Sequence, residues 1–353
     1  MLSYLILYLS ISYKVIRGNS KFSYLTIITL FLFLSFFIGF RHQIGVDWDQ
    51  YVEIIDRFKD DTFSLILVST EPGYIGLSWI GGRFENGIYL VNFISACIFT
   101  FGLIEYARKR DYPWLAILLA FPILIVMVAM GYTRQSIAIG FEFLALNSIE
   151  NKNIFKALIL IVIGSLFHIS ILGLTIFVID IPIKRKVKLR NLITFSIVIY
   201  LGYLAYALIS ETIYAYYKLY ILRVYASSGA LYRLIPSVFA ALILISNKIK
   251  LRKYDSQNIS IYLKMAYAII LSIILVLLFP SNSTFIDRFA LYLYPLTIYV
   301  FNKSISLQFF NIRKIDYKLI FITTYFIYTF FWLSFAKHAY AWIPYQNYFF
   351  MPY

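Results

Sequence analysis

The sequence predicts an all-α, polytopic integral membrane protein, and two observations carry this prediction. Of its 353 residues, 61% are hydrophobic and 14% are charged, whereas a soluble domain is close to half apolar and about a quarter charged. Apolar stretches of roughly 15 to 20 residues recur along the chain, each bounded by charges, and only helices satisfy their own backbone inside lipid over that length. The whole chain, residues 1–353, is therefore predicted to be a single transmembrane domain.

Lysine and arginine gather in short links between the apolar stretches and give the chain a formal net charge of +15. The basic links are residues 14–21, 108–110, 184–190, 248–253 and 313–318. Short loops rich in these residues stay in the cytoplasm, so the excess charge predicts topology, and no nucleic-acid partner is expected. The single cysteine, Cys97, lies in an apolar stretch, which argues against a disulfide framework and a metal cluster.

Placing the basic links inside predicts about twelve crossings, with an external segment at 41–86 and a shorter external loop at 210–230. The predicted crossings are residues 2–16, 22–40, 87–107, 112–130, 133–149, 154–167, 169–182, 191–209, 231–246, 261–279, 288–302 and 318–336. Residues 154–182 are short for two crossings of about 20 residues each, yet one long helix would place the basic link 184–190 outside. Two short helices meeting near His168 keep the charge rule, and we predict that arrangement.

The predicted external segment 41–86 concentrates the acidic residues of the chain. Four of its carboxylates have helical spacing and predict the solvated face of an amphipathic surface helix. They are Asp49, Glu53, Asp56 and Asp60. Asp47 lies ahead of this face and Glu71 lies behind it, so both are candidates for chemistry. Aromatic stretches at 214–220 and 340–350 predict an interfacial belt, with packing against sugar rings as the alternative.

Arginines gather at the predicted external ends of helices, against the cytoplasmic preference of positive charge. They are Arg41, Arg134, which opens crossing 133–149, and Arg288, which opens crossing 288–302, with Arg83 and Arg233 near the same side. Such arginines often extend to lipid phosphates, and this is the alternative to an anion-binding cavity. Guanidinium holds phosphate oxygens with paired hydrogen bonds, so several arginines at one depth favour the cavity. Arg134 shares a helix face with Glu142, which predicts that this face is turned inward.

His168 lies in the sequence GSLFHIS, at the predicted bend between two apolar helices. A single histidine at such a bend more often forms a structural hydrogen bond than takes part in catalysis. Its predicted level with the external arginines favours the second role, because imidazole changes protonation near neutral pH. His168 is therefore a candidate proton acceptor.

Five short motifs follow one another in the order FRHQIGVDWDQY, EPGY, GYTRQSIAIGF, FHIS and DRFALY. In this order they resemble the EpsG-like family of Wzy-type O-antigen and capsular polysaccharide polymerases, over roughly residues 37–295. The resemblance implies an enzyme of the bacterial inner membrane that joins undecaprenyl-pyrophosphate-linked oligosaccharide repeat units at the outer face. It also implies surrounding membrane lipids and a chain-length regulator as a candidate partner. A GT-C-like helical bundle is the fold to consider for such an enzyme.

The implied chemistry gives the candidate residues their roles. A hydroxyl of the next unit attacks the anomeric carbon of the growing chain, and negative charge develops on the lipid pyrophosphate. No metal-ligand cluster is evident in the sequence and we expect no cofactor, so fixed arginines are expected to stabilise that charge. The candidates for this role are Arg41, Arg134 and Arg288. The candidate proton acceptors are Asp47, Glu71 and His168. Secondary candidates are Arg83, Arg233, Tyr51 and Glu142.

Three other functions stay open. An O-antigen ligase shares the lipid-pyrophosphate donor but is expected to have a larger external loop than residues 210–230. A polyprenyl-phosphate-sugar glycosyltransferase would use acidic residues in its first external loop, where the sequence DWD lies at 47–49. A lipid-linked oligosaccharide flippase is the non-enzymatic alternative, but transporter folds often show internal repeats and midplane charges, and the sequence shows no repeat.

Overall fold

The computed structural model describes residues 1–17, 21–60, 69–179, 227 and 229–351. We number the helices of these residues in chain order. They are α1 Leu2–Arg17, α2 Tyr24–Gly39, α3 Trp48–Phe58, α4 Pro72–Gly81, α5 Gly87–Ala107, α6 Pro113–Ala120, α7 Thr133–Glu150, α8 Ile154–Ser165, α9 Thr175–Ile179, α10 Ala230–Ser246, α11 Lys248–Tyr254, α12 Ile259–Leu278, α13 Ser283–Ala290, α14 Pro295–Ser306 and α15 Lys314–Phe335. No β-strand occurs in the described ranges, so the predicted all-α class is confirmed.

Three described helices are each long and apolar enough to cross a membrane. They are α5, α12 and α15. Helices α10 and α11 pass the same test together but are bent by 77° at the break between them. Shorter apolar helices, among them α2 and α8, accompany these spans. The chain is thus an apolar, helical membrane-type protein, whereas the count of about twelve crossings and a GT-C-like arrangement stay predictions.

Most predicted crossings match a described helix to within a few residues; the predicted crossing 87–107 coincides with α5. The prediction for Arg288 is wrong, because this residue lies in the last turn of α13 instead of opening a crossing. A 3-10 turn, Leu291–Leu293, separates α13 from α14. Pro295 begins α14, since proline is accommodated in a first helical turn, where its missing N–H has no intrahelical partner. The predicted crossing 191–209 lies outside the described residues.

The centre of the bundle is α6 with its π-helical continuation Phe121–Ala129. Every residue from 115 to 130 is buried. A helix that is apolar on all sides is one enclosed by other protein elements. The π-helix starts where Pro122 cannot donate the regular helical hydrogen bond. This central helix delivers Met130 to the predicted external end of the bundle, directly ahead of α7.

Helix α7 crosses α5 at very short range through two glycines. A Cβ atom on Gly102 would lie 2.2 Å from the carbonyl oxygen of Gly140, so no larger residue fits this crossing without backbone movement. Small residues at such contacts let helix backbones approach closely in membrane proteins. Helix α7 therefore sits deep in the bundle, and Glu142 on it is fully buried, as its predicted inward face requires.

Helices α3 and α4 lie in the predicted external segment 41–86. Helix α3 buries Trp48, Tyr51 and Ile55, and it exposes three of the four carboxylates that have helical spacing, which confirms the predicted amphipathic helix. The fourth, Asp60, is exposed in the turn that follows the helix. The predicted break at His168 is also confirmed, since α8 ends at Ser165 and His168 has extended backbone ahead of a 3-10 turn. Whether the two halves form two crossings stays a prediction.

Residues 337–351 follow α15, and we call them the closing segment. They run beside the stretch that leaves α2. His42 donates its backbone N–H to the Gln346 carbonyl at 3.0 Å, and Gly45 donates to the Ala341 carbonyl at 2.9 Å. The Trp342 indole N–H donates to the carbonyl of Val126 on the central helix at 2.8 Å. The aromatic stretch 340–350 is therefore partly a structural element, although its tip also exposes large rings.

Candidate functional site

Glu71, Arg134 and His168 form a contact cluster at the predicted external end of the bundle. The Glu71 Oε2 atom accepts a hydrogen bond from Arg134 Nη1 at 2.8 Å. The Glu71 Oε1 atom lies 2.7 Å from His168 Nδ1. Three of the five sequence motifs therefore meet at one carboxylate, although Glu71 is 63 residues from Arg134 and 97 from His168.

Local backbone geometry explains why Glu71 reaches His168. Glu71 immediately precedes Pro72, which begins α4. The Gly73 N–H donates to the Leu166 carbonyl at 2.9 Å, and this bond docks the first turn of α4 on the end of α8. A Cβ atom on Gly73 would lie 3.0 Å from Leu166, so glycine permits this close approach. The glutamate before the docked turn and the histidine after the end of α8 are thereby brought into contact.

The charges and the burial around Glu71 indicate which nitrogen of His168 carries a proton. Burial alone would raise the pKa of Glu71, but the hydrogen bond with His168 and the charges of His168 and Arg134 outweigh burial and hold the pKa below its ordinary value. An ionised carboxylate can only accept hydrogen bonds, so Nδ1 of His168 carries the proton that faces Glu71. In neutral imidazole the other nitrogen, Nε2, then holds the lone pair. Glu71 thus orients His168 as a proton acceptor through Nε2.

Asp47 and Arg288 form a second, looser group. Arg288 Nη2 lies 3.9 Å from Asp47 Oδ2, and the two side chains are 29% and 23% exposed. The Arg288 guanidinium stacks on the Tyr132 ring with its Cζ 3.7 Å from the ring centroid. Burial raises the pKa of Asp47 above its ordinary value, and the charges of Arg288 and Arg134 offset only part of that increase. Because the contact between Asp47 and Arg288 is long, an anion can approach the guanidinium without first breaking a close ion pair.

Asp47 and Arg288 both line a cavity of about 630 Å³. Tyr132 from the start of α7 also lines it, as do the aromatic rings at the end of α15. Two of those rings, Phe331 and Phe335, are 53% and 72% exposed, so the cavity adjoins the apolar outer surface of the bundle. A cavity with an arginine and a carboxylate beside an apolar opening suits a ligand that has a charged head and a lipid chain.

The Glu71 cluster and the cavity adjoin each other at the start of α7. Tyr132 supports Arg288, and two residues later Arg134 holds Glu71. Arg134 also interacts with the buried Tyr51 hydroxyl. Gln135 donates its side-chain N–H to the Arg288 carbonyl at 2.6 Å, which fixes the end of α13 against α7. The four consecutive residues 132–135 thus connect the two groups.

Arg233 lies in the cavity lining, but it is paired. Its Nε atom donates to Asp287 Oδ1 at 2.9 Å, and Nη2 makes a second hydrogen bond to Asp287 Oδ2. Nη2 also donates to Ser227 Oγ at 2.7 Å. The pair ties the start of α10 to α13, and Asp287 immediately precedes Arg288. Arg233 therefore positions the neighbouring arginine through Asp287.

Arg41 lies apart from both groups. Its guanidinium is 1% exposed and donates four hydrogen bonds to uncharged acceptors. The acceptors are the carbonyls of Met130 and Ile38, the Thr133 hydroxyl and the Asn92 side-chain oxygen. Burial lowers the pKa of Arg41 to about 10. The side chain links α2, α5, the central helix and α7, and a pyrophosphate cannot reach it without disrupting these bonds.

The remaining predicted residues are spread more widely. Arg83 is exposed and stacks on the Trp79 ring at 4.6 Å, outside the cavity lining. Glu142 is fully buried, and neither carboxyl oxygen has a hydrogen-bond partner among the described residues. Among those residues no group of three potential metal ligands occurs.

Sequence reasoning missed Lys337 and His338, which line the cavity from the closing segment. The chain has three histidines, and that scarcity was a signal that could have drawn attention to His338. It also missed Tyr132, which stacks on Arg288 and stands two residues before Arg134 in the motif GYTRQS.

Comparison with known proteins gives one result. No curated protein and no solved structure matches the sequence. Residues 3–347 match the EpsG family, which covers nearly the whole chain. The motifs that meet at the Glu71 cluster and the cavity are those on which the resemblance rests. The chain belongs to the EpsG family, a membrane-associated family of polysaccharide biosynthesis.

Proposed function

We propose that this protein is a Wzy-type polymerase of the bacterial inner membrane. In this proposal it joins undecaprenyl-pyrophosphate-linked oligosaccharide repeat units at the outer face of that membrane. The observation that carries the proposal is the oriented Glu71–His168 pair, which lies beside a cavity lined by Arg288 and open to the apolar surface. These positions support a proton acceptor at His168 beside a site for a charged lipid head.

The reaction follows from these positions. Nε2 of His168 accepts the proton of an acceptor sugar hydroxyl, whose oxygen attacks the anomeric carbon of the donor. The bond between that carbon and the pyrophosphate oxygen breaks, and the electron pair stays on the pyrophosphate. Arg288 and Arg134 stabilise the developing negative charge. Glu71 holds the imidazole and stabilises it once it is protonated, as the carboxylate of a hydrolase triad does.

Asp47 is the second candidate for the proton acceptor. It lies at the cavity, and its pKa is raised, which is the direction that a general base working near neutral pH needs. It is less oriented than His168, because its side chain makes no capping hydrogen bond to α3 and its contact with Arg288 is 3.9 Å long.

The test is polymerisation of lipid-linked repeat units by purified protein in nanodiscs. His168→Ala should lower turnover by about a hundredfold or more, since general base catalysis has that magnitude. Glu71→Gln should lower turnover too, and it should change the pH profile because the imidazole loses its carboxylate partner. Asp60→Ala, on the solvated side of the external segment, is the matched control. Turnover near that of the control for His168→Ala would refute the assignment of His168, and full loss with Asp47→Asn would favour Asp47.

The acceptor distinguishes the polymerase from an O-antigen ligase, which uses the same donor. A deletion strain of a polymerase should retain lipopolysaccharide that has a single repeat unit and should lose longer chains. Loss of every repeat unit, including the first, would contradict the proposed polymerase and indicate a ligase or an earlier step. Gel profiling of the lipopolysaccharide gives this result directly.

A further inference from the structure

The cavity beside Asp47 and Arg288 has a second charged wall that the proposed reaction does not use. Lys337 and His338 line it from the closing segment, immediately after the apolar helix α15. Lys337 is exposed, and His338 is partly buried. The Nδ1 atom of His338 is buried and has no hydrogen-bond partner among the described residues. Buried polar atoms in folded proteins nearly always have a partner, so the described residues leave this imidazole unsatisfied at the cavity wall.

The closing segment holds these two residues in a fixed place. His338 begins a 3-10 turn, Ala339–Ala341, and its carbonyl accepts the Ala341 N–H at 3.0 Å. Trp342 follows the turn, is 2% exposed and stacks edge-on against Trp332 at 5.0 Å. Its indole N–H is bonded to the central helix. A turn anchored in this way presents the imidazole with little freedom to move.

The closing segment also forms a backbone hydrogen bond with the stretch of chain that leads to Asp47. The Gly45 N–H donates to the Ala341 carbonyl at 2.9 Å. Gly45 stands two residues before Asp47, and Ala341 stands three residues after His338. This hydrogen bond joins the two segments that carry the Asp47 carboxylate and the His338 imidazole, and both residues line the same cavity.

The order of side chains along the cavity indicates how a lipid-linked ligand lies in it. Phe331 and Phe335 are the exposed aromatic residues of the lining, and Lys337 follows Phe335 by two positions. Val46, beside Asp47, is exposed as well. Arg288 stacks on Tyr132, and two residues later Arg134 holds the Glu71 carboxylate that contacts His168. A lipid chain along the phenylalanines places its nearest phosphate at Lys337 and His338. The next phosphate, which bears the sugar, then lies towards Arg288.

We propose that Lys337 and His338 bind the lipid-proximal phosphate of a polyprenyl pyrophosphate. This rests on the proposed function and assigns two substrate-binding residues and an orientation to it. Lysine supplies a permanent positive charge, and the imidazole supplies an N–H donor in either protonation state. Lys337 and His338 bind the phosphate next to the lipid, and Arg288 binds the phosphate that bears the sugar. The lipid then points to α15 and the sugar points to His168.

The experiment measures binding and needs no turnover. Undecaprenyl pyrophosphate, undecaprenol and inorganic pyrophosphate are titrated into the full chain in nanodiscs, for wild type, Lys337→Gln, His338→Gln and the double variant. We expect about a tenfold loss of affinity for undecaprenyl pyrophosphate in each single variant, the loss typical of a charge-assisted hydrogen bond. Undecaprenol binding should not change, and Lys337→Arg should restore most of the affinity.

Lys59→Gln is the control, because Lys59 is an external lysine paired with Asp56 and lies outside the cavity lining. Unchanged affinity for undecaprenyl pyrophosphate in the double variant, with wild-type binding intact, would overturn the role of Lys337 and His338 and leave the proposed function standing. Equal losses for undecaprenol would also overturn it, since they would show damage to the fold. Inorganic pyrophosphate bound as tightly as the lipid form would overturn the proposed orientation. Absence of wild-type binding to all three probes would refute the proposed function itself.

Discussion

At the scale of single residues, the arginines of this site differ in how far their charge is already satisfied. Arg41 has four hydrogen bonds to uncharged groups, Arg233 has a buried carboxylate partner, and Arg288 has a ring below it and a distant carboxylate. A guanidinium with a buried, complete set of partners stabilises the fold, whereas one beside a cavity can bind a ligand. The same residue type therefore occurs in three different environments within one end of the bundle.

Arg41→Lys should destabilise the protein. Lysine has three donors on a point charge and cannot reproduce the bonds of the guanidinium fork, so buried acceptors lose their partners, at a cost of about 1–3 kcal/mol each. Thermal unfolding in detergent should show a clear loss, whereas Arg57→Lys, at an exposed position of α3, should show none. A stable Arg41→Lys protein that no longer binds polyprenyl pyrophosphate would instead place Arg41 among the ligand-binding residues.

Asp47→Asn should raise stability at neutral pH while lowering polymerisation. The folded-state pKa of Asp47 is raised, so ionisation opposes folding, and stability is lost as the pH rises through that pKa. Removing the charge removes this loss. The gain in melting temperature should be present at pH 7 and should shrink as the pH falls towards the ordinary aspartate value of about 3.9. Asp49→Asn, on the exposed side of α3, is the control, and an equal gain there would contradict the explanation.

At the scale of elements, the site depends on turns that only particular residues can form. Gly45 has a φ of 102°, in the region that favours glycine, and a Cβ atom there would lie 2.7 Å from the Met130 carbonyl. The same residue supplies the hydrogen bond to the closing segment. The turn therefore sets the position of Asp47 relative to both the central helix and His338.

Gly45→Ala should cost about 1–3 kcal/mol of stability, the usual cost of a strained backbone conformation. It should also lower the affinity for undecaprenyl pyrophosphate, because the closing segment loses its link to the turn. Both are measured on the purified protein, by thermal unfolding and by lipid titration. Gln50→Ala, an exposed position in α3, should change neither. Wild-type behaviour of Gly45→Ala would show that the turn has no part in the site.

Sequence could predict the elements better than their partners. Apolar stretches bounded by charge gave α5 and most other helices, and His168 marked a real break, because burial patterns and helix ends are local properties. Arg288 was placed at the wrong end of its helix, since the 3-10 turn after α13 leaves no gap in the apolar pattern. Arg41 and Arg134 look alike in sequence, because each stands at a helix end. Only the packing of distant segments shows that Arg41 is a buried link between helices and that Arg134 pairs with Glu71. His338 was not predicted as a cavity residue, because the closing segment was interpreted from its aromatic residues alone.

At the scale of the whole molecule, the Glu71 cluster and the cavity of Asp47 and Arg288 lie at the end of the bundle where α2 ends and α7 begins. The buried ion pair of Arg110 and Glu150 lies at the other end of α7, and the Tyr262 hydroxyl donates to that same carboxylate at 2.7 Å. The polar groups of the site are thus separated from this second pair by nearly the length of a span. This uneven distribution of the candidate groups along α7 fits chemistry carried out at one membrane face.

Single cysteines in a Cys97→Ser background should report that face. Asp49→Cys should react with a membrane-impermeant maleimide in intact spheroplasts, because α3 lies in the predicted external segment. Arg252→Cys, in the short helix α11, should react only after lysis, as the positive-inside rule requires. The reverse pattern would put the site in the cytoplasm and exclude a polymerase that works at the outer face.

The backbone hydrogen bonds between residues 40–45 and the closing segment also determine when this part of the fold can form during synthesis. The ribosome completes the turn that carries Asp47 about 300 residues before it completes the closing segment that faces it. Until that segment arrives, Gly131 and the end of the central helix lack their Trp342 cover. Helices α1 to α15 are therefore all synthesised before the residues of the closing segment that complete this wall of the cavity. Docking of that segment on residues 40–45 and on the central helix is thus a late step in the assembly of the bundle.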